Sequence, residues 1–257
     1  MDSRLTAFSA TQSHTGHQRR VNEDAAHADA RQGLWVVADG MGGYAAGDVA
    51  SRAVVHSVSR APLTGSLDEC ADRLEDAIVA ANRRLLFETT LPAGCQHIGT
   101  TVTVLYFHPE ENTCVCLWVG DSRLYVLRNN GLYQMTRDHS VVQEMVDSGL
   151  LDEASRDSHP QSHVITRAVG VTDDLVVDRL TFTPQPGDLY LLCSDGLYNE
   201  ICLVEQLQAL GTILSGKGAL KSRQMADSLV EAVLGTAARD NITVTVVSME
   251  QAVFGDG

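Results

Sequence analysis

The chain has 257 residues, and 19 basic against 33 acidic residues give it a formal net charge of −14. This acidic balance disfavours general binding to nucleic acids or to anionic membrane surfaces, because both require a basic face. With 44% hydrophobic residues the composition is that of a globular protein, and no uninterrupted apolar stretch is long enough to span a bilayer. The N-terminal residues lack the basic-then-apolar pattern of a signal peptide, so we expect a cytoplasmic location.

Short segments rich in Val, Leu, Thr and aromatic residues are typical of strands, and apolar residues spaced three and four apart are typical of amphipathic helices. In chain order these patterns predict strands at 5–11 and 33–38, helices at 45–60 and 67–88, strands at 99–107, 113–119, 123–129 and 187–193, a helix at 222–234 and a strand at 242–248. Turn sequences at 108–113 and 128–131 predict hairpins and therefore antiparallel neighbours. This arrangement favours an α+β layered fold. Because no linker or low-complexity segment divides the chain, we predict a single domain.

The segment 146–172 interrupts this regular pattern. It is polar and contains Pro160 and two histidines. Loops of this length in compact domains are often functional, so we predict a flap here.

The six cysteines show no CxxC pair and no Cys/His spacing typical of zinc sites. Cys193 lies within an apolar run, as a small core residue would. We interpret all six as reduced and structural.

Acidic residues recur where predicted strands begin or end. They are Asp39, Asp121, Asp195 and Asp240, and an acidic pair, Glu23 and Asp24, follows Arg19, Arg20 and Asn22 near the N-terminus. Any one of them alone is more often a turn residue than a ligand. Their recurrence favours a site for hard divalent ions such as Mg²⁺ and Mn²⁺, which require oxygen ligands, provided that these strand ends converge in space.

Eight short motifs follow one another along the chain: RRVNEDA (19–25), VVADGMGG (36–43), GTT (99–101), VGDSR (119–123), TRDHS (136–140), ITRAVG (165–170), LLCSDGL (191–197) and RDNITV (239–244). Together and in this order they resemble the motifs of the metal-dependent serine/threonine protein phosphatases of type 2C, the PPM family. The resemblance is to the bacterial branch of that family in particular. The resemblance covers nearly the whole chain. It implies one phosphatase domain over 1–257, folded as a four-layer αββα sandwich with two central antiparallel β-sheets flanked by helices.

The resemblance also implies a set of metal ligands. Two central Mn²⁺ or Mg²⁺ ions would be held by four carboxylates and one backbone carbonyl, those of Asp24, Asp39, Asp195, Asp240 and Gly40. Asp121, together with Asp195, would hold a weaker third ion. Glu23 would act mainly through metal-bound waters.

Arg19 would bind the substrate phosphate, because a guanidinium group matches two phosphoryl oxygens. Arg20 is adjacent, and Arg19 is preferred because it keeps the family's spacing to Asp24. The implied reaction is hydrolysis of phosphoserine or phosphothreonine by a hydroxide that bridges the two ions, with Asp39 and Asp195 among the catalytic residues. The implied partners are phosphorylated proteins, namely a bacterial Ser/Thr kinase and its substrates, and we expect a monomer.

In some family members a His follows directly after Asp-Gly and is proposed as the general acid. In this chain that position is Met41. His139, His159 and His163 are chemically suitable replacements, but a structural or exposed role is the more common one for each, and we assign no general acid. Two alternatives remain open. One is a catalytically inactive regulatory member of the same fold, and the other is a metal-dependent hydrolase of small phosphate esters or nucleotides.

Other residues of the motifs have structural interpretations. We expect Gly42, Gly43 and Gly47 to permit close packing near the site, and Asp138 and Ser140 to begin a helix. Arg123 and Arg167 are expected to stabilise the acidic rim.

Overall fold

The protein is described from a computed structural model, which covers residues 4–42, 46–87, 98–156, 158–211 and 218–252. Within these residues the strands are β1 Leu5–His14, β2 Asp24–Asp29, β3 Leu34–Met41, β4 Gly99–Thr100, β5 Val102–His108, β6 Thr113–Val119, β7 Arg123–Arg128, β8 Gly131–Gln134, β9 Asp178–Phe182, β10 Leu189–Cys193 and β11 Ile242–Gln251. The helices are α1 Gly47–Ser59, α2 Leu67–Phe87, α3 Val141–Asp147, α4 Asp195–Tyr198, α5 Leu203–Gly211 and α6 Gly218–Leu234.

The strands form two antiparallel sheets. The first sheet has the order β1–β11–β10–β7–β8, and the second has the order β2–β3–β5–β6–β9, with β4 paired to β3. Helices α1 and α2 cover the outer face of the second sheet, and α5 and α6 cover the outer face of the first. The expected α+β sandwich of two antiparallel sheets flanked by helices is confirmed.

Strand β3 explains why the central strands are continuous apolar runs. Leu34, Val36 and Ala38 pack against α1 and α2, whereas Trp35 and Val37 pack against the first sheet. All five are buried. Successive side chains of a strand point to opposite faces, so a strand covered on both faces must be apolar at every position.

In the described residues all seven predicted strands and all three predicted helices are present, but three further strands and three further α-helices were not predicted. The sequence of β2, DAAHAD, is rich in Ala and Asp, which are depleted in strands, and it becomes a strand by pairing with β3. Strands β8 and β9 have four and five residues. Helices α3, α4 and α5 have seven, four and nine residues, too short for a full amphipathic pattern.

The predicted strand at 99–107 is divided into β4 and β5, and this corrects the prediction. At the division, the backbone N–H of Asp39 donates to the Thr101 hydroxyl at 3.0 Å, where a regular ladder would use a backbone carbonyl. The predicted hairpins at 108–113 and 128–131 are confirmed: β5 pairs with β6 and β7 pairs with β8. Asn129 and Asn130 have φ angles of 51° and 63° in the second turn, as short hairpins favour.

Four cysteines are buried and unbridged, namely Cys70, Cys114, Cys116 and Cys193, and Cys202 is free but exposed. These five agree with reduced thiols, and the prediction for Cys95 lies outside the described residues. Within the described ranges, none of the helices combines the length and the apolar character needed to cross a membrane.

The predicted flap at 146–172 begins later than expected, because α3 extends to Asp147. Ser140 caps α3, accepting a hydrogen bond from the Gln143 N–H, so its predicted role is confirmed. Two antiparallel bridges fasten the segment to the body of the protein: Ser140 pairs with Ile165 and Thr100 pairs with Val169.

A buried ion pair connects β7 to the segment that precedes α3. Arg123 Nε donates to Asp138 Oδ1 at 3.0 Å, and Arg123 Nη2 donates to Asp138 Oδ2 at 2.5 Å. Their side chains are only 7% and 4% exposed. Because removing one member leaves the other charge buried without compensation, this pair is costly to break.

We therefore expect Asp138→Asn to lower the free energy of unfolding by about 3 kcal/mol or more, measured by urea denaturation. Asp68→Asn is the control, because Asp68 also pairs with an arginine, Arg179, but its side chain is 85% exposed. Exposed pairs contribute little. Equal unfolding free energies for the two variants would contradict this account of the buried pair.

Candidate metal centre

The acidic residues found at strand ends converge on one open cavity of about 1210 Å³. Its lining includes most of the predicted site residues, namely Arg19, Glu23, Asp39, Gly40, Asp121, Asp195 and Asp240. Asp24 is buried and lies opposite Asp39 in the β2–β3 ladder. Directly opposed residues on neighbouring antiparallel strands have Cα atoms about 5 Å apart. The fold therefore brings together the carboxylates that the sequence places far apart.

The first sheet contributes two carboxylates, one from the end of β10 and one from the start of β11. Asp195 begins α4 two residues after the end of β10, and Asp240 lies two residues before the start of β11. Since β10 and β11 are antiparallel neighbours, with Cys193 opposite Val244, the end of one lies beside the start of the other. Asp121 lies two residues after the end of β6 in the second sheet.

Two carboxylate oxygens in this group have no hydrogen-bond partner in the described part of the chain, although both are buried. They are Oδ1 of Asp24 and Oδ1 of Asp195. The other oxygen of each is engaged: Ser194 Oγ donates to Asp24 Oδ2 at 2.8 Å, and Asn199 Nδ2 donates to Asp195 Oδ2 at 3.2 Å. Buried polar atoms normally have partners, so these two require an explanation.

Burial raises the pKa of Asp24 and of Asp195 to about 6 and that of Asp121 to about 7. Burial also raises the pKa of Asp39 well above its usual range, and the neighbouring charges of Asp24, Asp195, Asp121 and Asp240 raise it further. Loss of water and like-charge repulsion both disfavour the ionised form. A divalent cation would offset both effects. In the described residues, however, no group of three or more His, Cys, Asp or Glu side chains is placed closely enough to hold a metal ion as it stands.

Gly40 and Gly47 hold β3 and α1 in close contact beside these carboxylates. A Cβ atom on Gly47 would lie 2.6 Å from the carbonyl carbon of Gly40, and one on Gly40 would overlap the carbonyl oxygen of Gly47. No larger residue fits at either position without moving the backbone. The expected packing role is confirmed for Gly47, whereas Gly43 lies outside the described residues.

Glu23 lies at the junction of α1 with the cavity. Its Oε1 accepts a hydrogen bond from the N–H of Gly47, the first residue of α1, at 3.1 Å. Its carbonyl oxygen accepts from Ser51 Oγ at 2.6 Å. Burial raises the pKa of the Glu23 carboxyl. This side chain therefore caps a helix as well as lining the cavity.

Arg19 and Arg20 differ in their position relative to the cavity. Arg19 lines the cavity, and its Nη2 donates to Asp240 Oδ2 at 2.7 Å. The Arg19 side chain is 51% exposed, so the guanidinium reaches both the carboxylate and the open cavity. Arg20 is exposed and lies outside the group of cavity-lining residues.

Asn241 was not singled out by the sequence analysis, yet it fixes the segment that carries Arg19 and Glu23. Its Oδ1 accepts from the Glu23 N–H at 2.7 Å, and its Nδ2 donates to the carbonyl oxygens of Thr15 and Val21 at 2.9 and 3.1 Å. Asn241 is buried. Its place beside Asp240 in the RDNITV motif was the available signal.

Tyr198 is a second residue that the sequence analysis missed. Its hydroxyl donates to the Asp121 carbonyl oxygen at 3.0 Å, and the Arg123 guanidinium lies 3.6 Å from the centre of its ring. The charge of Arg123 also opposes the rise in the pKa of Asp121. Arg123 therefore supports the acidic rim as expected. Arg167 is engaged elsewhere, since its Nη1 donates to Asp178 Oδ1 at 2.6 Å.

Of the three histidines considered as proton donors, His163 lines the cavity together with Met41. His139 is buried, and its Nδ1 accepts from the Gly120 N–H at 3.0 Å. Burial and the charge of Arg167 lower the pKa of His139. His159 Nδ1 accepts from the Gln161 N–H within the flap segment.

Comparison with known proteins identifies the family. The profile of the protein phosphatase 2C family matches residues 11–234. The serine/threonine protein phosphatase PstP of Mycobacterium tuberculosis is 34% identical over 247 residues, which is 96% of this chain and 46% of that relative. This chain thus spans about half the length of that curated relative.

Two solved structures are similar over nearly the whole fold. One is PppA, a key regulatory component of T6SS in Pseudomonas aeruginosa, with 39% identity, a TM-score of 0.83 and coverage of 96% of this chain and 100% of that one. The other is the catalytic domain of the phosphatase PstP in complex with two manganese ions, with 32% identity, a TM-score of 0.81 and the same coverage. The chain therefore belongs to the protein phosphatase 2C family.

Proposed function

We propose that this chain is a metal-dependent protein serine/threonine phosphatase that hydrolyses phosphoserine and phosphothreonine. The observation that carries this proposal is the convergence of four aspartates from both sheets at one open cavity that Arg19 also lines, with the buried Asp24 opposite one of them, Asp39. A cluster of buried carboxylates beside one guanidinium suits divalent cations and a phosphate group together. Membership of the family supports the same activity.

The residues present fit two Mn²⁺ or Mg²⁺ ions. The ligands would be Asp24, Asp39, Asp195 and Asp240, with the Gly40 carbonyl, and the unpartnered oxygens of Asp24 and Asp195 are suitable hard donors. Bound ions of this kind lower the pKa of water and offset negative charge at a phosphoryl group. Asp121, together with Asp195, is the proposed site of a weaker third ion. Glu23 is proposed to contact the water around the ions.

Arg19 is the proposed phosphate-binding residue. Its guanidinium is already oriented by Asp240, so it loses little freedom when it binds two phosphoryl oxygens. The cavity is open and wide enough to admit a phosphorylated side chain that projects from a protein surface. The proposed substrates are therefore phosphorylated proteins, including a bacterial Ser/Thr kinase and the proteins that it modifies, and the proposed form is a monomer.

One set of assays tests the proposal. A phosphothreonine peptide, a nucleotide and an aryl phosphate are each supplied with Mn²⁺ or with a chelator, and phosphate release is measured. We expect Mn²⁺-dependent release from the peptide and a loss of about 100-fold or more in Asp39→Asn and Asp195→Asn, because each change removes a carboxylate that would hold a divalent ion, and such an ion would offset negative charge at the phosphoryl group. Asp68→Asn, an exposed acidic residue on α2, is the control and should retain activity.

The same assays separate the alternatives. Absence of turnover with every substrate and metal would contradict the proposal and favour a binding protein of the same fold. Faster turnover of the nucleotide than of the peptide would favour a hydrolase of small phosphate esters.

The adjacent arginines provide a matched pair for testing phosphate binding. We expect Arg19→Ala to raise the KM for the phosphopeptide about tenfold or more, because it removes a charge-assisted contact. Arg20→Ala should leave KM unchanged, since Arg20 lies outside the cavity lining. Initial-rate kinetics at saturating Mn²⁺ provide both constants. Similar KM values for the two variants would exclude Arg19 as the phosphate contact.

The raised pKa values of the aspartates predict how pH affects stability without metal. A carboxyl whose pKa is higher in the folded state stabilises the fold below its unfolded value near 4, and this contribution is lost as pH rises through the folded value. For Asp24, Asp195 and Asp121 the loss falls between about pH 4 and pH 7. Mn²⁺ binds the ionised carboxylates and should therefore restore the stability that is lost as the pH rises.

We therefore expect the rise in Tm on adding Mn²⁺ to be larger at pH 7.5 than at pH 5.5, measured by thermal unfolding with and without chelator. Asp195→Asn should reduce this rise. A metal-induced rise that is equal at both pH values would contradict the assignment of these carboxyls as ligands.

A further inference from the structure

Ser194 occupies the position where a serine normally caps a helix, but its side chain does something else. It lies between β10 and α4, with φ −76° and ψ 169°, as an N-cap residue should. Its hydroxyl makes no capping hydrogen bond to α4. The side chain is instead directed away from the helix that it precedes.

The Ser194 hydroxyl connects the two sheets beneath the acidic cluster. It accepts a hydrogen bond from the Thr243 N–H of β11 at 3.0 Å, and it donates to Asp24 Oδ2 of β2 at 2.8 Å. The Ser194 N–H also donates to the Thr243 carbonyl oxygen at 3.0 Å. Ser194 is fully buried. Because a backbone N–H can only donate and an ionised carboxylate can only accept, the single hydroxyl proton of Ser194 is directed to Asp24.

This contact determines which oxygen of Asp24 remains available. Oδ2 is engaged by Ser194, whereas Oδ1 is buried and has no partner in the described residues. A hydrogen bond to one oxygen restricts the rotation of a carboxylate, and outer hydrogen bonds of this type orient metal ligands. The remaining oxygen is then presented for coordination.

We propose that Ser194 is a positioning residue, whose hydroxyl holds the Asp24 carboxylate so that Oδ1 is directed at a bound divalent cation. This inference rests on the proposed function, because it takes Asp24 as a metal ligand. It assigns Ser194 a task separate from that of its neighbour Asp195, although the two are adjacent in the LLCSDGL motif.

The test measures Mn²⁺ binding directly, by isothermal titration calorimetry on the full chain. We expect Ser194→Ala to weaken Mn²⁺ binding about tenfold, the lower end of the range for loss of a group that orients a ligand. At saturating Mn²⁺ the KM for the phosphopeptide should be unchanged. Ser222→Ala is the matched control, because Ser222 is equally buried on α6 and its hydroxyl donates to the Phe8 carbonyl oxygen.

Further variants separate positioning from a general loss of packing. Ser194→Thr keeps the hydroxyl and should recover most of the affinity. If Ser194→Ala does not fold, Ser194→Cys replaces it, since a thiol of similar size is a weak donor. In an Asp24→Asn background, Ser194→Ala should cause no additional loss of Mn²⁺ affinity, because residues that act through one another are not additive.

The outcomes distinguish this inference from the proposed function. Equal Mn²⁺ affinity in the wild type and in Ser194→Ala overturns the positioning role and leaves the phosphatase proposal standing. An additional loss in the Asp24→Asn background also overturns it. A wild-type chain that binds no Mn²⁺ overturns both. A wild-type chain that binds Mn²⁺ without hydrolysing the peptide overturns the activity alone, and the affinity of Ser194→Ala then still decides the inference.

Discussion

Repulsion among buried carboxylates is the constraint on which the rest of this structure depends. Asp24 and Asp39 lie opposite each other on neighbouring strands of the second sheet, while Asp195 and Asp240 lie at the adjacent ends of β10 and β11 in the first. Burial raises the pKa of Asp24, Asp39 and Asp195, and the charge of Asp240 raises each of the three further. Such a group can persist only if the surrounding packing exceeds the electrostatic cost of gathering it. The three apolar layers, between the sheets and beneath the helices on either side, supply that packing.

Hydrogen bonds made by small polar side chains fix the positions of the acidic residues within this packing. Thr101 holds the backbone of Asp39, Asn241 holds the backbone of Glu23, and Ser194 holds the carboxylate of Asp24. All three are buried, and each joins segments that are far apart in the sequence. Their contribution is orientation, since buried hydrogen bonds add little net stability but are costly to leave unmade.

Features that depend on the local sequence could be predicted, whereas features that depend on contacts between distant segments could not. The apolar runs that became β3 and β10 were evident, because a strand buried on both faces must be apolar throughout. Strand β2 was not evident, since DAAHAD becomes a strand only through its partner β3. At the site, motif order indicated the aspartates, whereas their convergence depended on sheet pairing. Ser194 was not singled out by the sequence analysis, and only the fold reveals that its hydroxyl reaches Asp24.

The attachment of the flap segment has a consequence for how the protein can diversify. Its junctions are made by main-chain hydrogen bonds, between Thr100 and Val169 and between Val141 and Val164. Main-chain hydrogen bonds do not depend on which side chains the residues carry, whereas the acidic cluster consists of particular side chains. Sequence drift in the loop therefore leaves its anchor points intact. The flap segment and the acidic cluster are therefore under different constraints, so evolution can change the side chains of the first while the second keeps its aspartates.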